Sequence, residues 1–249
     1  IDHGKRLSGP FGDELVVGAY LSKLFFLGLA YLFFKSKNYY LYILYLSYIV
    51  IIIFLTQERS AFFISIISAI FFILFFKINI KYKFIFFLLL SVLVALFIRF
   101  DETSSKKYFQ QTVMQLGLSD ILHKRSGDHS HHINTFWDSR YGAHFLTAFE
   151  IYKDNKIFGS GVKTFRKECN IDKYENINSA YSDQRCNTHP HNIYYEILSE
   201  GGILLFIPFC LAIIFIVLKN LQNLISYKNN FFNLLNLSIL IILFFPIQT

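Results

Sequence analysis

Charged residues are scarce in this 249-residue sequence: only 16% are Asp, Glu, Lys or Arg, whereas 54% are hydrophobic. With 30 Phe and 16 Tyr as well, the composition places the chain among membrane proteins and not among soluble ones. The sequence also lacks an initial Met and a visible signal peptide, and it stops inside an apolar run. We therefore expect a piece of a longer protein, with further helices at both ends.

Charge is scarcest in six long apolar runs, which occupy approximately 14–34, 39–56, 60–76, 84–100, 193–218 and 231–247. A bilayer-spanning helix needs about 20 residues, and soluble core helices would be shorter and amphipathic. These runs therefore predict an all-α polytopic membrane protein with about six transmembrane helices and a large, partly helical loop, which would be a periplasmic loop in a Gram-negative bacterium. We expect about four N-terminal helices in 1–100, the loop in 101–190, and about two helices in 191–249, the last one truncated.

Acidic residues are absent from three of the connections between these runs, which contain Lys35, Lys37, Lys77, Lys81, Lys83, Lys219 and Lys228. Lysine-rich connections face the cytoplasm in most membrane proteins, so the loop 101–190 should lie outside. The seven lysines equal the whole formal net charge of +7. The charge is thus a signal of topology, and we expect no nucleic-acid partner. If the source is a Gram-negative bacterium, the predicted location is its inner membrane, with the loop in the periplasm.

The sequence predicts that the long external loop is partly ordered. Within 137–165, apolar residues recur at helical spacing, and a Gly-x-Gly turn follows. Cys169 and Cys186 lie further along the loop with sixteen residues between them. In an oxidising compartment they could form a disulfide, and two reduced thiols are the alternative. Cys210, inside an apolar run, is interpreted as a small apolar residue.

The usual signs of a cofactor are missing from the sequence. The cluster DHSHH at 128–132 has three histidines, but no Cys or carboxylate at metal-ligand spacing accompanies it. No glycine-rich loop of the kind that holds nucleotide phosphates is present either. We therefore expect neither a metal nor another cofactor.

Several polar residues gather at the predicted outer ends of the spans. Arg59 could bind a diphosphate with its planar guanidinium, or simply extend toward lipid headgroups. His191 could act as a general base, or bond a backbone carbonyl. Asn192, Glu196 and Glu200 share one helix face, where acids also suit a helix N-terminus.

Two further arginines bracket the ordered part of the loop. Arg140 and Arg166 could be surface residues, or they could line an anionic groove together with Arg59.

The stretch HPHNIYYEILSEGGI (189–203) resembles the signature of the bacterial O-antigen ligase/polymerase family, which has a His-Asn pair at the end of a large periplasmic loop. The Arg59 turn is similar to that family's short arginine motif, with Phe63 where leucine is usual. RLSGPFGDELVVGAYL (6–21) and SRYGAHFLTAFEIYKDNKIFGSGVKTF (139–165) resemble further family segments. Leu205 stands where the ligase pattern has a small or hydroxylated residue.

This resemblance implies a metal-independent, inverting glycosyltransferase of lipopolysaccharide assembly. Its donor would be an undecaprenyl-diphosphate-linked glycan, and its acceptor either lipid A–core, for a ligase, or another lipid-linked glycan, for a polymerase. His191 would be the catalytic base. Arg59, Arg140, Arg166, Asn192 and Glu200 would bind the diphosphate or the glycan at the periplasmic face.

Two other classes compete with this reading. A transporter or flippase of lipid-linked saccharides would have charged or broken helices at mid-membrane depth. A structural or sensory membrane protein would not need arginines and a histidine on one membrane face.

Overall fold

The computed structural model describes residues 10, 16–100, 112–113, 136–226 and 231–245, except for the side chains of 97, 98 and 100. Every regular element in these ranges is helical, which confirms the predicted all-α fold class. The α-helices are α1 (Val17–Lys35), α2 (Tyr39–Leu55), α3 (Arg59–Phe75), α4 (Ile80–Phe100), α5 (Arg140–Asp154), α6 (Phe165–Glu168), α7 (Ile193–Ser226) and α8 (Phe231–Phe244).

Each of the six apolar runs contains a helix: α1 to α4, α7 and α8. Two of these helices, α1 and α7, are long and apolar enough to cross a membrane by length and composition, whereas α2, α3 and α8 are shorter apolar helices. That all six helices cross the membrane remains a prediction. The α7 helix extends to Ser226, eight residues past the end of the predicted run at 218.

The described lysine-rich connections are short and contain asparagine caps. The Asn38 Oδ1 atom accepts a hydrogen bond of 3.0 Å from the Tyr40 backbone N–H at the start of α2. Asn79 Oδ1 accepts an equivalent bond of 3.0 Å from Lys81 N–H at the start of α4. A side-chain acceptor at this position satisfies one of the N–H groups that a helix start leaves unpaired. These asparagines therefore fix where each helix begins.

The chain divides into two compact units, and the first holds α1 to α4, α8 and the part of α7 from Ile214 onward. In this unit α1 packs against α2, α3 and α8, and α3 packs against α8. Its fully buried core consists of apolar side chains, among them Phe26, Leu29, Leu46, Ile53 and Phe72. Between α3 and α8, the Ser68 hydroxyl donates a buried hydrogen bond of 2.6 Å to the Ser238 carbonyl.

The turn between α2 and α3 carries a buried carboxylate. Glu58 is 3% exposed and accepts hydrogen bonds from the backbone N–H groups of Gly18 at 2.7 Å and Ala19 at 2.9 Å. These N–H groups belong to the first turn of α1, whose own cap residue Val16 supplies no side-chain acceptor. Glu58 therefore caps α1 from a distant part of the sequence, and its negative charge suits the helix N-terminus.

The second unit contains α5, α6 and the part of α7 up to Ile213. A small core joins Ala148, Ile151, Phe165, Cys169 and Tyr174. Cys169 and Cys186 form a disulfide in this structure, with Cα atoms 5.3 Å apart, which is the pairing expected from the sequence. The predicted domain boundary near residue 190 remains a prediction, because this unit continues through the first half of α7.

Candidate functional site

The α7 helix is broken at Gly202, where φ is +62°. At the break, Ile203 N–H donates to the Lys156 carbonyl at 2.8 Å and Leu204 N–H donates to the Ile157 carbonyl at 3.2 Å. On the preceding turn, Ser160 and Gly161 N–H groups donate to the Ser199 and Glu200 carbonyls, each at 2.9 Å. The segment Lys156–Lys163, here called the docked loop, is thus held on α7 by main-chain hydrogen bonds.

Glycine is required on both sides of this contact. A Cβ atom on Gly202 would collide with the Ile157 carbonyl, and one on Gly159 would collide with the Glu200 backbone. Both glycines also have positive φ, which other residues adopt at a cost. Gly202 thus marks a break in α7 that receives the docked loop.

Glu200 serves the same contact. One of its carboxylate oxygens accepts from Lys163 N–H at 2.7 Å, and the other accepts from Phe165 N–H at 3.0 Å. The residue is 8% exposed. Since both oxygens are bound to backbone groups, the structure favours a role in folding for Glu200 over the predicted glycan binding.

Asn192 caps α7. Its Oδ1 atom accepts hydrogen bonds from Tyr194 N–H at 2.9 Å and Tyr195 N–H at 3.2 Å, and its side chain is buried. This is the ordinary geometry of a helix N-cap. The residue thus fixes the start of α7 directly after His191, which differs from the predicted contact with sugar.

His191 lies in a cluster of rings. The nearest rings are those of His189, His144 and Tyr141, with centroids at 4.4, 5.3 and 5.4 Å from the His191 ring. Its Nε2 atom is 2.8 Å from the Asn187 Nδ2 atom, which can only donate, so Nε2 is the accepting nitrogen. Its Nδ1 atom is buried without a hydrogen-bond partner among the described residues. With φ at +57°, the backbone of His191 is strained, as is frequent at functional sites.

His144 supports this cluster from α5. It is 1% exposed, its ring stacks on His191 at an interplanar angle of 29°, and neither ring nitrogen makes a well-formed hydrogen bond within the described residues. The backbone of Gln184 lies close to the ring. A buried imidazole without full partners is costly, so such a group in a native fold needs a reason.

Arg140 brings positive charge to the same cluster. It begins α5, one helical turn before His144, and its exposed side chain donates from Nε to Gln184 Oε1 at 2.7 Å. Ser139 caps this helix through a bond of 3.1 Å from Gly142 N–H. The cap and the helix period together direct Arg140, Tyr141 and His144 toward the segment that contains His191.

Burial, together with Arg140 and the neighbouring histidines, lowers the pKa of both His191 and His144. Burial chiefly lowers the pKa of His191 to about 3, with further lowering by His189, His144 and Arg140. Burial also lowers the pKa of His144 to about 4, with smaller contributions from Arg140 and His189, opposed by the Gln184 backbone. At neutral pH, His191 Nε2 therefore presents a lone pair that can accept a proton.

Two further predicted residues are Arg166 and Arg59. Arg166 is on α6 with an exposed side chain, and Arg59 begins α3 in the other compact unit. The DHSHH stretch at 128–132 lies outside the described residues. Among the residues that are described, no group of three His, Cys, Asp or Glu side chains could hold a metal ion.

Sequence reasoning found His191 and Arg140 but missed His144, Tyr141 and Asn187. His144 is four residues after Arg140, so a helical projection of 137–165 would have placed the two on one face. No local pattern distinguishes Asn187, because its contact depends on how the chain turns between Cys186 and Asn192.

A family model described as O-antigen ligase matches residues 44–210, well over half of the chain. The matched part begins within α2 and includes the histidine cluster, the docked loop and the break in α7. No curated protein and no solved structure is significantly similar to the chain.

Proposed function

The chain belongs to the O-antigen ligase family, and on this premise we propose that it transfers a glycan from an undecaprenyl-diphosphate carrier to an acceptor hydroxyl. The family implies a glycosyltransferase-like enzyme with a lipid-linked glycan and an acceptor as partners, and its apolar helices indicate membrane integration. The acceptor is lipid A–core if the protein is a ligase, or a second lipid-linked glycan if it is a polymerase.

The observation that carries this proposal is the state of His191: a half-buried, neutral imidazole whose accepting nitrogen points to an exposed amide. Asn187 Nδ2 occupies the position from which a donor group reaches Nε2. We infer that the acceptor hydroxyl replaces this amide and donates its own hydrogen bond to Nε2. A general base must lie within hydrogen-bond reach of the proton that it removes, and this exchange meets that condition.

The proposed reaction is a single displacement at the anomeric carbon. The acceptor oxygen forms a bond to that carbon while its proton passes to His191 Nε2. The bond between the anomeric carbon and the diphosphate breaks, and its electron pair leaves with the diphosphate oxygen. Attack opposite the leaving group inverts the anomeric configuration.

Arg140 is suited to the diphosphate. Its Nε atom is engaged by Gln184, which orients the guanidinium, while the terminal nitrogens make no other hydrogen bond within the described residues. An arginine can bind phosphate oxygens through two parallel hydrogen bonds without a metal. A bound diphosphate would also offset the positive charge of Arg140, which is one of the groups that lower the pKa of His191. Donor binding would thus make His191 a stronger base.

Arg59 and Arg166 remain proposed contacts of the anionic donor, on the strength of the family resemblance and of their charge. We place the reaction at the periplasmic face of a multi-pass protein in the bacterial inner membrane, consistent with the seven lysines in the opposite connections. The Cys169–Cys186 disulfide fits an oxidising compartment of this kind.

The test is reconstitution of the full-length protein with an undecaprenyl-diphosphate-linked repeat unit, with and without lipid A–core. Glycan on lipid A–core would identify a ligase, and a longer lipid-linked glycan without lipid A–core would identify a polymerase. The absence of both products with competent substrates would contradict the proposal. The family match gives no support to the transporter alternative.

A further inference from the structure

We propose that the docked loop is a membrane-inserting element, and that its apolar side chains contact the acyl chains of the bilayer beside α7. Three large apolar side chains of this loop face outward: Ile157, Phe158 and Val162 are 59%, 74% and 81% exposed. Apolar groups concentrated in so short a segment mark an interaction surface when they are left uncovered.

The position of the loop on α7 identifies a lipid surface as the partner. Its main-chain hydrogen bonds reach residues Ser199 to Leu204 of α7, where the polar start of that helix gives way to its apolar length. The α7 side chains that directly follow Gly202 are also exposed and apolar: Ile203, Leu204 and Leu205. A loop fixed at this height therefore enters the bilayer together with the helix that carries it.

The apolar surface of the docked loop is also continuous with that of α7. Val162 of the loop and Leu205 of α7 line the same recess of about 250 Å³, together with Ile193 and Ile197 and with the acidic residues Glu196 and Glu200. The exposed side chains of Val162 and Leu205 thus extend one apolar surface from the loop to the helix.

The charges beside the loop suit phospholipid headgroups. Lys156, Lys163, Arg166 and Lys167 are exposed and make no ion pair within the described parts of the chain. By contrast, the nearby Lys153 pairs with Glu150 at 2.7 Å and Lys173 pairs with Asp154 at 2.6 Å. Cations next to an apolar insertion bind the anionic headgroups above the acyl chains.

The α7 break also pairs part of the non-helical backbone of the loop. Unsatisfied N–H and C=O groups are costly in hydrocarbon, so irregular segments enter a bilayer more readily when other parts of the protein pair them. Here the Ile203 and Leu204 N–H groups donate to the Lys156 and Ile157 carbonyls, and the Ser199 and Glu200 carbonyls accept from the Ser160 and Gly161 N–H groups. Insertion would hold the start of α7, and His191 just before it, at a fixed height above the bilayer.

The test uses p-benzoylphenylalanine, a photoreactive residue that forms covalent adducts with neighbouring C–H bonds. It replaces Phe158 or Val162 in the full-length protein, reconstituted in phosphatidylethanolamine–phosphatidylglycerol vesicles. After irradiation, mass spectrometry of the proteolytic peptides identifies what each label has captured. Both positions are largely exposed, so the substitutions should leave folding unchanged, which a thermal unfolding curve checks.

The matched control is Ile171, which is 45% exposed but lies beside Cys169 between Asn170 and Asp172, on a polar surface. We expect phospholipid adducts at Phe158 and Val162 to exceed those at Ile171 several-fold. Equal levels at the three positions, or capture of protein in place of lipid by the loop labels, would overturn the inference. The inference needs membrane integration but no transfer activity, so its failure would leave the proposed reaction intact.

Discussion

The protonation state of His191 depends on the residues that surround its ring. Asn187 bonds the accepting nitrogen, while His144, His189 and Tyr141 surround the ring. Burial is the main cause that opposes a positive charge on His191, and the neighbouring histidines and Arg140 oppose it further. A neutral base is thereby maintained under conditions in which an exposed histidine would be partly protonated.

The lowered pKa of His191 predicts an unusual pH dependence of kcat/KM. A histidine acts as a general base in its neutral form. Transfer is therefore fast when the pH is above the pKa of the histidine, and it slows as the pH falls through that pKa. With the pKa of His191 lowered to about 3, kcat/KM should stay near its maximum down to about pH 5. The measurement is kcat/KM for transfer against pH, with Asn170→Ala as a control whose profile should match that of the wild type. A half-maximal rate near pH 6.5 would instead indicate an ordinary, solvated histidine.

At the scale of elements, the break in α7 is the feature on which the second unit depends. A Cβ atom on Gly202 would force the Ile157 carbonyl away and also strain the backbone at φ +62°. Gly202→Ala should therefore release the docked loop and lower the free energy of unfolding by about 1–3 kcal/mol. Trypsin cleavage after Lys156 and Lys163 in the folded protein should become faster.

The control for this prediction is the neighbouring Gly201→Ala. Its new Cβ would come within 2.5 Å of the Leu205 side chain, which has to shift, but its three nearest atoms include none of the docked loop, and φ there is not positive. Cleavage at the wild-type rate in Gly202→Ala would show that the loop does not depend on the break.

The cap that Glu58 places on α1 gives a second prediction at this scale. Glu58→Gln keeps one acceptor oxygen but loses the negative charge beside the first turn of α1. We expect a loss of about 1 kcal/mol, which lowers the midpoint of thermal unfolding by about 2–4 °C. Gln57→Gly is the matched control, since Gln57 has φ +60° and glycine adopts this conformation freely. Equal midpoints for Glu58→Gln and the wild type would contradict the assigned cap.

The helices themselves could be predicted from the sequence, and their connections mostly could not. Long apolar runs with few charges predict the helices α1 to α4, α7 and α8, because a helix satisfies its own backbone within the segment. The Glu58 cap and the contacts of Glu200 join residues about 40 positions apart, so no local pattern indicates them. For the same reason the sequence does not indicate the backbone partners of Asn192 and Glu200, whose contacts with the glycan remain predictions.

For the whole molecule, the distribution of lysine predicts the topology. The Lys37 connection should face the cytoplasm, and the segment around Asp183 should face the periplasm. In a Cys210→Ser background, a membrane-impermeant thiol reagent should label Asp183→Cys in spheroplasts and label Lys37→Cys only after permeabilisation. Labelling of Lys37→Cys in sealed spheroplasts would reverse the assigned orientation.

The central claim is that His191 is the base of glycan transfer, and the most direct test is transfer by His191→Ala in the reconstituted full-length protein. Folding is checked by the Cys169–Cys186 disulfide: these thiols should react with a labelling reagent only after reduction, as in the wild type. We predict that this variant inserts at normal abundance and forms no product, whereas Asn170→Ala retains activity. Near-normal product from a folded His191→Ala protein would contradict the account.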